Sequence, residues 1–180
     1  LPIEAQGISV ITFSHIGHLK PTDTLFTEHF HREQIQNMLD NLFEERLEKN
    51  DLLPLGESGD HLLVETSYFN PPMGLNNILL RIKAKGYYPI LAHPERYVYM
   101  GESDYQQLKD MGVKFQFNLP SIAGMYGNRI KKKAMLLLKE KAITHIGTDI
   151  HNYNIFQKFI CTSITKNIQN CLIDSQTVIV

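Results

Sequence analysis

Six residues combine reactive chemistry with telling positions: His15, Glu65, His93, Arg96, Asp149 and His151. Imidazoles and carboxylates drawn from separate segments form a mixed nitrogen and oxygen donor set that suits Zn²⁺, Mn²⁺ or Fe. Arg96 follows His93 by three residues. A guanidinium fork beside a metal ligand suits a phosphate group, which the cation polarises while Arg holds the other oxygens. Asp149-x-His151 has the two-residue spacing that can aim both side chains into one site. Asn118 ends a fifth segment of the same kind and joins the set as a substrate-binding candidate.

Each of these residues has a plainer reading when taken alone. A single His at a strand end is commonly a hydrogen-bonded structural group. Glu65 could cap a helix or pair with a lysine, and Asp149 could make a turn. Arg96 could pair with Glu95 on the surface, which is worth little. The basic run Arg129, Lys131, Lys132 and Lys133 reads as a solvated helix face that could also steer an anionic partner. The coincidence is what favours a site: four separate segments end in such groups, and parallel strands bring all their carboxyl ends to one face.

The elements that must position these groups alternate in type. The most telling stretch is Tyr87 to Tyr97, an apolar, β-prone run bounded by Gly86 and Pro94 that breaks off in His93, Glu95 and Arg96. Residues 8–13 read as a strand ending at His15, followed by a loop over 16–27. Residues 28–50 carry Phe30, Ile35, Met38, Leu39, Leu42, Phe43 and Leu47 at helical spacing. His61 to Thr66 reads as a buried strand with Glu65 near its end, and Tyr68 to Pro72 as a rigid loop. An amphipathic helix is predicted over 74–85, closed by Gly86. Ser103 is predicted to cap a helix that Gly112 closes. Val113 to Phe117 alternates as a strand that ends at Asn118. A basic helix over 129–141 and a strand over 142–147 precede Asp149 and His151. A last helix is expected over 153–172, with a β-like end at 177–180.

Such alternation specifies an α/β domain with mainly parallel strands. The 180 residues suffice for one domain with a core but are too few to close an eight-stranded barrel. An open sheet and a barrel lacking its first units both remain possible on this basis. A net charge of −1 gives no electrostatic reason for a nucleic-acid partner, and no apolar run approaches a membrane span. Cys161 and Cys171 lie about 15 Å apart along the predicted last helix, too far for a disulfide, and fit a reducing compartment.

The segments "ISVITFSH", "HLLVETS", "YYPILAHPERY", "VKFQFN" and "THIGTDIHN" occur here in one order and spacing. In this they resemble the bacterial PHP-type (polymerase and histidinol phosphatase) metal-dependent protein-tyrosine phosphatases of capsular and exopolysaccharide biosynthesis. The likeness covers about residues 37–152 and a shorter stretch at 7–15. It implies a distorted, PHP-like (β/α) barrel, here incomplete, with helices outside. It implies a cytoplasmic phosphatase acting on the phosphotyrosine tail of a bacterial tyrosine autokinase that controls polysaccharide export. By motif, His15, Glu65, His93, Asp149 and His151 become metal ligands and Arg96 the phosphate-binding catalytic residue. Up to three ions occur in the family, with Mn²⁺ expected and Fe or Zn²⁺ as alternatives, and fewer are expected here.

Three departures accompany the resemblance. The family's opening His-x-His pair and the acidic glycine loop after it have no counterpart in these 180 residues, so a domain without its first βα unit is expected. The bridging Glu expected just before "NMLDN" is replaced by Gln36, and no second Arg follows Asp149-x-His151. Two other outcomes therefore stand beside the phosphatase: a module that binds a phosphotyrosine tail without turnover, and a small-molecule phosphoesterase such as a histidinol-phosphate phosphatase. The strand ending at His15 would also become a sheet edge with unpaired backbone groups, from which a homo-oligomer is expected.

Overall fold

The computed structural model describes residues 36–55, 58–140, 142–149 and 178–179. The elements in chain order are β1 (Gln36–Met38), α1 (Asn41–Lys49), β2 (His61–Glu65), α2 (Leu75–Ala84), β3 (Tyr88–Ala92), α3 (Glu102–Asp110), β4 (Lys114–Asn118), α4 (Leu119–Ala123), α5 (Asn128–Lys139), β5 (His145–Gly147) and β6 (Val178–Ile179). The six strands form one parallel sheet in the order β1-β2-β3-β4-β5-β6. A doubly wound sheet reverses its order at a switch point. This sheet does not reverse, so right-handed crossovers put the helices on one face, as in a (β/α) barrel wall. The strand order of the described residues is thus that of a barrel wall and not of a doubly wound sheet.

Alternation within the strands fits that wall. Leu62, Val64, Leu91, Phe115, Phe117 and Ile146 pack with Phe43 and Leu47 of α1, Ile78, Leu79 and Ile82 of α2, Leu108 of α3 and Leu137 of α5. The alternate residues Leu63, Ile90 and Ala92 form a separate small cluster on the opposite face. The helix-facing cluster is much the larger, and burial of its aliphatic side chains, worth about 1.5–3 kcal/mol each, dominates cohesion of the wall. Gln36, Glu65, Gln116 and Asn118 share the smaller cluster's side of the pleat by alternation.

Three local expectations need correction. The continuous helix over 28–50 is replaced, within the described residues, by β1 and the shorter α1. Asp40 divides them: its extended backbone and its carboxylate, which accepts from Phe43 N at 2.9 Å, make it the N-cap of α1. The strand before it pairs Asn37 with Val64 and Met38 with Glu65, a tertiary contact that local spacing does not reveal. Gly101, not Ser103, precedes α3, and its N–H donates to Asp104 Oδ2 at 2.7 Å. The helix α4 was not foreseen. The expected elements over 8–13 and 153–172, with His15, His151, Cys161 and Cys171, lie outside the described residues.

The remaining helices and strands fall within one to three residues of expectation. Among the described residues no helix is long and apolar enough to cross a membrane.

Candidate active site

Two residues at the strand ends have left-handed backbone without being glycine: His93 at φ 36° and Asp149 at φ 48°. Such a conformation costs about 1–2 kcal/mol for a residue bearing a Cβ. Here it redirects the chain as it leaves β3 and β5. Pro94–Arg96 then make a single 3₁₀ turn, with Arg96 N bonded to His93 O at 2.9 Å. Pro94 suits this first turn because it lacks the N–H that would have no partner there.

Two corners result. In the first, Glu65 Oε2 and His93 Nε2 lie 3.1 Å apart. Gln36 Nε2 completes a triangle, 2.7 Å from Glu65 Oε2 and 3.1 Å from His93 Nε2. His93 is fully buried, its ring 5.4 Å from that of Tyr68 and 5.6 Å from that of Tyr97. Its Nδ1 is buried with no hydrogen-bond partner among the described residues.

The second corner is built on Arg96. Its Nη1 donates to Asp149 Oδ2 at 2.7 Å, and Asn118 Nδ2 donates to the same oxygen at 3.1 Å. The guanidinium carbon lies 4.2 Å from the ring centre of Tyr68 and 4.6 Å from that of Tyr126. Two aromatic faces and one carboxylate fix the plane of the fork, which remains partly open to solvent. Burial pushes the Tyr68 hydroxyl up to about 12 and also raises that of Tyr126, so both are neutral phenols at pH 7. Tyr68 touches both His93 and Arg96 and so joins the two corners.

Glu95 supports the second corner from below. It is not the surface partner of Arg96 that the sequence allowed, but a fully buried side chain facing the other way. Its Oε1 accepts from Asn118 N at 3.1 Å and Ser121 Oγ at 2.6 Å, while Oε2 has no partner among the described residues. Burial raises its pKa above the ordinary carboxylate range. Gln116 Nε2 donates to Asn118 Oδ1 at 3.0 Å and so fixes the rotamer of the Asn118 amide.

Five of the candidates named from sequence are thus placed: Glu65 with His93, and Arg96 with Asn118 and Asp149. Within the described residues, Asp149 engages Arg96 and Asn118, and no group of three His, Cys, Asp or Glu side chains could hold a metal ion. The third atom of the first corner is an amide. Adjacent ligands of an octahedral cation with bonds of about 2.1 Å lie about 3 Å apart. The Gln36–Glu65–His93 triangle has that spacing, so its donor set fits one small divalent ion when the amide offers its oxygen. Sequence reasoning missed Tyr68, Tyr126 and the buried role of Glu95. No periodicity marks any of them, because two lie in loops and the third within a single turn.

Residues 28–165 match the family model for capsular polysaccharide synthesis, CpsB/CapC. The chain belongs to the CpsB/CapC family. It is 29% identical over 111 residues to tyrosine-protein phosphatase YwqE of Bacillus subtilis (strain 168), a match spanning 61% of this chain and 43% of the relative. It is 33% identical over 118 residues to tyrosine-protein phosphatase CpsB of Streptococcus pneumoniae, spanning 60% of this chain and 47% of the relative. This CpsB/CapC chain therefore spans less than half the length of these relatives. It also superposes on a chain from the crystal structures of YwqE and CpsB, described as unique metal-dependent tyrosine phosphatases, with a TM-score of 0.57 and 24% identity. That match covers 78% of this chain and 63% of the other, and establishes a shared fold.

Proposed function

We propose that this CpsB/CapC protein binds a phosphotyrosine side chain and hydrolyses it with the help of a divalent metal. The observation that carries the reading is the Arg96 fork, held flat between Tyr68 and Tyr126 and tied to Asp149 beside Asn118. A planar, pre-oriented guanidinium loses little freedom when it binds two phosphate oxygens. Asn118 adds an amide at the same place. The Tyr68 and Tyr126 rings on either side of the guanidinium are the aromatic surface closest to it that a tyrosyl ring could meet.

The metal-binding groups in this reading are Glu65, His93 and Asp149, together with His15 and His151. Mn²⁺ is the first choice, and Fe or Zn²⁺ would accept the same donors. When bound, a divalent ion supplies positive charge against the phosphoryl oxygens and makes water a better nucleophile at neutral pH. The chain's own groups bind and orient: Arg96 and Asn118 hold the phosphate, and Tyr68 and Tyr126 hold Arg96. The substrate would be the phosphotyrosine tail of a bacterial tyrosine autokinase in the cytoplasm, and the protein would work as a homo-oligomer.

Phosphate release from a phosphotyrosyl peptide in the presence of Mn²⁺ tests this reading, with histidinol phosphate as the small-molecule competitor. Turnover of the peptide alone is expected. Faster release from histidinol phosphate would replace the reading with a small-molecule phosphoesterase. A second reading, binding without turnover, is favoured by the bonds from Arg96 and Asn118 that converge on Asp149. Saturable phosphopeptide binding with no phosphate release at any Mn²⁺ concentration would select it.

A further inference from the structure

With Glu65 ionised, the triangle of Gln36, Glu65 and His93 contains a contradiction that hydrogen bonding alone does not remove. With the Gln36 nitrogen inward, its N–H donates well to Glu65 Oε2 at 2.7 Å. His93 Nε2 then lies 3.1 Å from both atoms. If Nε2 carries a hydrogen, it meets Glu65 as donor to acceptor but faces the amide as donor to donor. If Nε2 is bare, it accepts from the amide but faces the carboxylate lone pair to lone pair. Either arrangement leaves one like-to-like contact, and His93 is fully buried, where such contacts are poorly screened.

A half-turn of the amide about its last torsion exchanges nitrogen for oxygen at almost no steric cost. With ionised Glu65, the oxygen would then sit against a carboxylate oxygen at the 2.7 Å that separates the two positions. That is unfavourable unless a cation faces both. With a cation present, all three atoms act as electron-pair donors, and every contact in the triangle becomes favourable.

We infer that Gln36 is a metal ligand through its amide oxygen, one that turns its N–H group inward when the cation leaves. The amide would thus serve the corner in two states: as ligand when a divalent ion is bound, and as hydrogen-bond donor to Glu65 when it is not. A neutral ligand also lowers the negative charge facing the ion by one relative to a carboxylate. The corner therefore holds its metal weakly and exchangeably, because affinity for hard divalent ions follows ligand charge. The inference rests on the reading of this face as a divalent-cation site, and it concerns the residue least expected to contribute.

Calorimetric titration with Mn²⁺ alone, without substrate, tests it on the full chain and on the Q36E and Q36L variants. Wild type is expected to bind with modest affinity, Q36E at least tenfold more tightly, and Q36L at least tenfold more weakly. Melting curves with and without Mn²⁺ check that the variants fold. Q36E should gain more from the ion than wild type, because its apo form places two carboxylates side by side. A ¹⁵N spectrum during Zn²⁺ titration should shift the side-chain NH₂ pair that is missing in Q36E. Equal Mn²⁺ affinity for wild type and a folded Q36L would overturn the role of Gln36 while leaving the metal site standing. Failure of wild type and Q36E alike to bind Mn²⁺ would overturn both.

Discussion

The two ends of the parallel sheet carry similar residues and differ in how completely those residues are paired. At the amino end, His61, Lys114 and His145 open β2, β4 and β5. His61 Nδ1 meets Asp60 Oδ1 at 2.6 Å and its Nε2 meets Lys114 Nζ at 2.6 Å, so one tautomer satisfies both ring nitrogens. His145 Nδ1 lies 2.8 Å from Thr144 Oγ1. At the carboxyl end, His93 and Asp149 have left-handed backbone. The two buried side-chain atoms without a partner among the described residues, His93 Nδ1 and Glu95 Oε2, lie there too. Folding has therefore closed the amino-end cluster upon itself, whereas the carboxyl end keeps backbone strain and two buried polar atoms without a partner among the described residues. Counting His and Asp residues would not separate the two ends; their hydrogen bonds do.

This contrast can be broken by variants at either end. The largest expected effect is on stability at the carboxyl end. Glu95→Ala should lower the unfolding free energy by about 3 kcal/mol in urea titration, since it opens a cavity and strips Asn118 N and Ser121 Oγ of their acceptor. Glu95→Gln keeps an acceptor oxygen and should lose less than half as much. Equal losses would mean that neither the volume nor the acceptor oxygen of Gln replaces the carboxyl group, and would contradict the account of Glu95 as acceptor for Asn118 N and Ser121 Oγ.

The amino end should respond to pH instead. Burial lowers the His145 pKa to about 4, with Lys114 and His61 adding to the shift. The folded pKa lies below the unfolded value of about 6.5, so the unfolded chain binds the extra proton first. The stability is fully present above pH 6.5 and is lost as pH falls from about 6.5 towards 4, by about 3 kcal/mol in all. His145→Gln should remove that part of the acid sensitivity and leave the proposed phosphatase activity near pH 7 unchanged. A pH-stability curve for the variant that overlays the wild type would show that His145 titrates as an ordinary surface histidine.

The smallest effect belongs to the aromatic bracket. Tyr126→Leu removes one face of the clamp on Arg96, worth about 1 kcal/mol, and should weaken phosphopeptide binding about fivefold with little change in melting temperature. A variant that binds as tightly as wild type would leave Tyr68 and Asp149 as the supports of the fork.

Much of this arrangement is legible in the sequence because strand ends have a local signature. An apolar run that stops in His93-Pro94-Glu95-Arg96 announces both the strand and what it delivers. Closing of the helices at Gly86 and Gly112 is equally local, since both adopt positive φ. What could not be read depends on contacts between distant segments. β1 exists because Gln36–Met38 meet β2, and its residues fit a helical stripe equally well. Asp149 engages Arg96 across 53 positions of sequence, and Glu95 turns inward because Ser121 and Asn118 N wait there. Gln36 looked like the loss of a carboxylate. Its place in the corner, 2.7 Å from Glu65, shows a residue that still takes part in the site.

The most direct test of the central claim compares Arg96 with His61 in equilibrium binding of a fluorescent phosphotyrosyl peptide, read against its unphosphorylated twin. Arg96→Ala is expected to abolish the preference for the phosphorylated peptide, a loss of about 100-fold or more. His61→Ala, at the opposite end of the sheet, should bind like wild type. Retention of the preference in Arg96→Ala, or its loss in a folded His61→Ala, would contradict the assignment of the phosphate site to the carboxyl face.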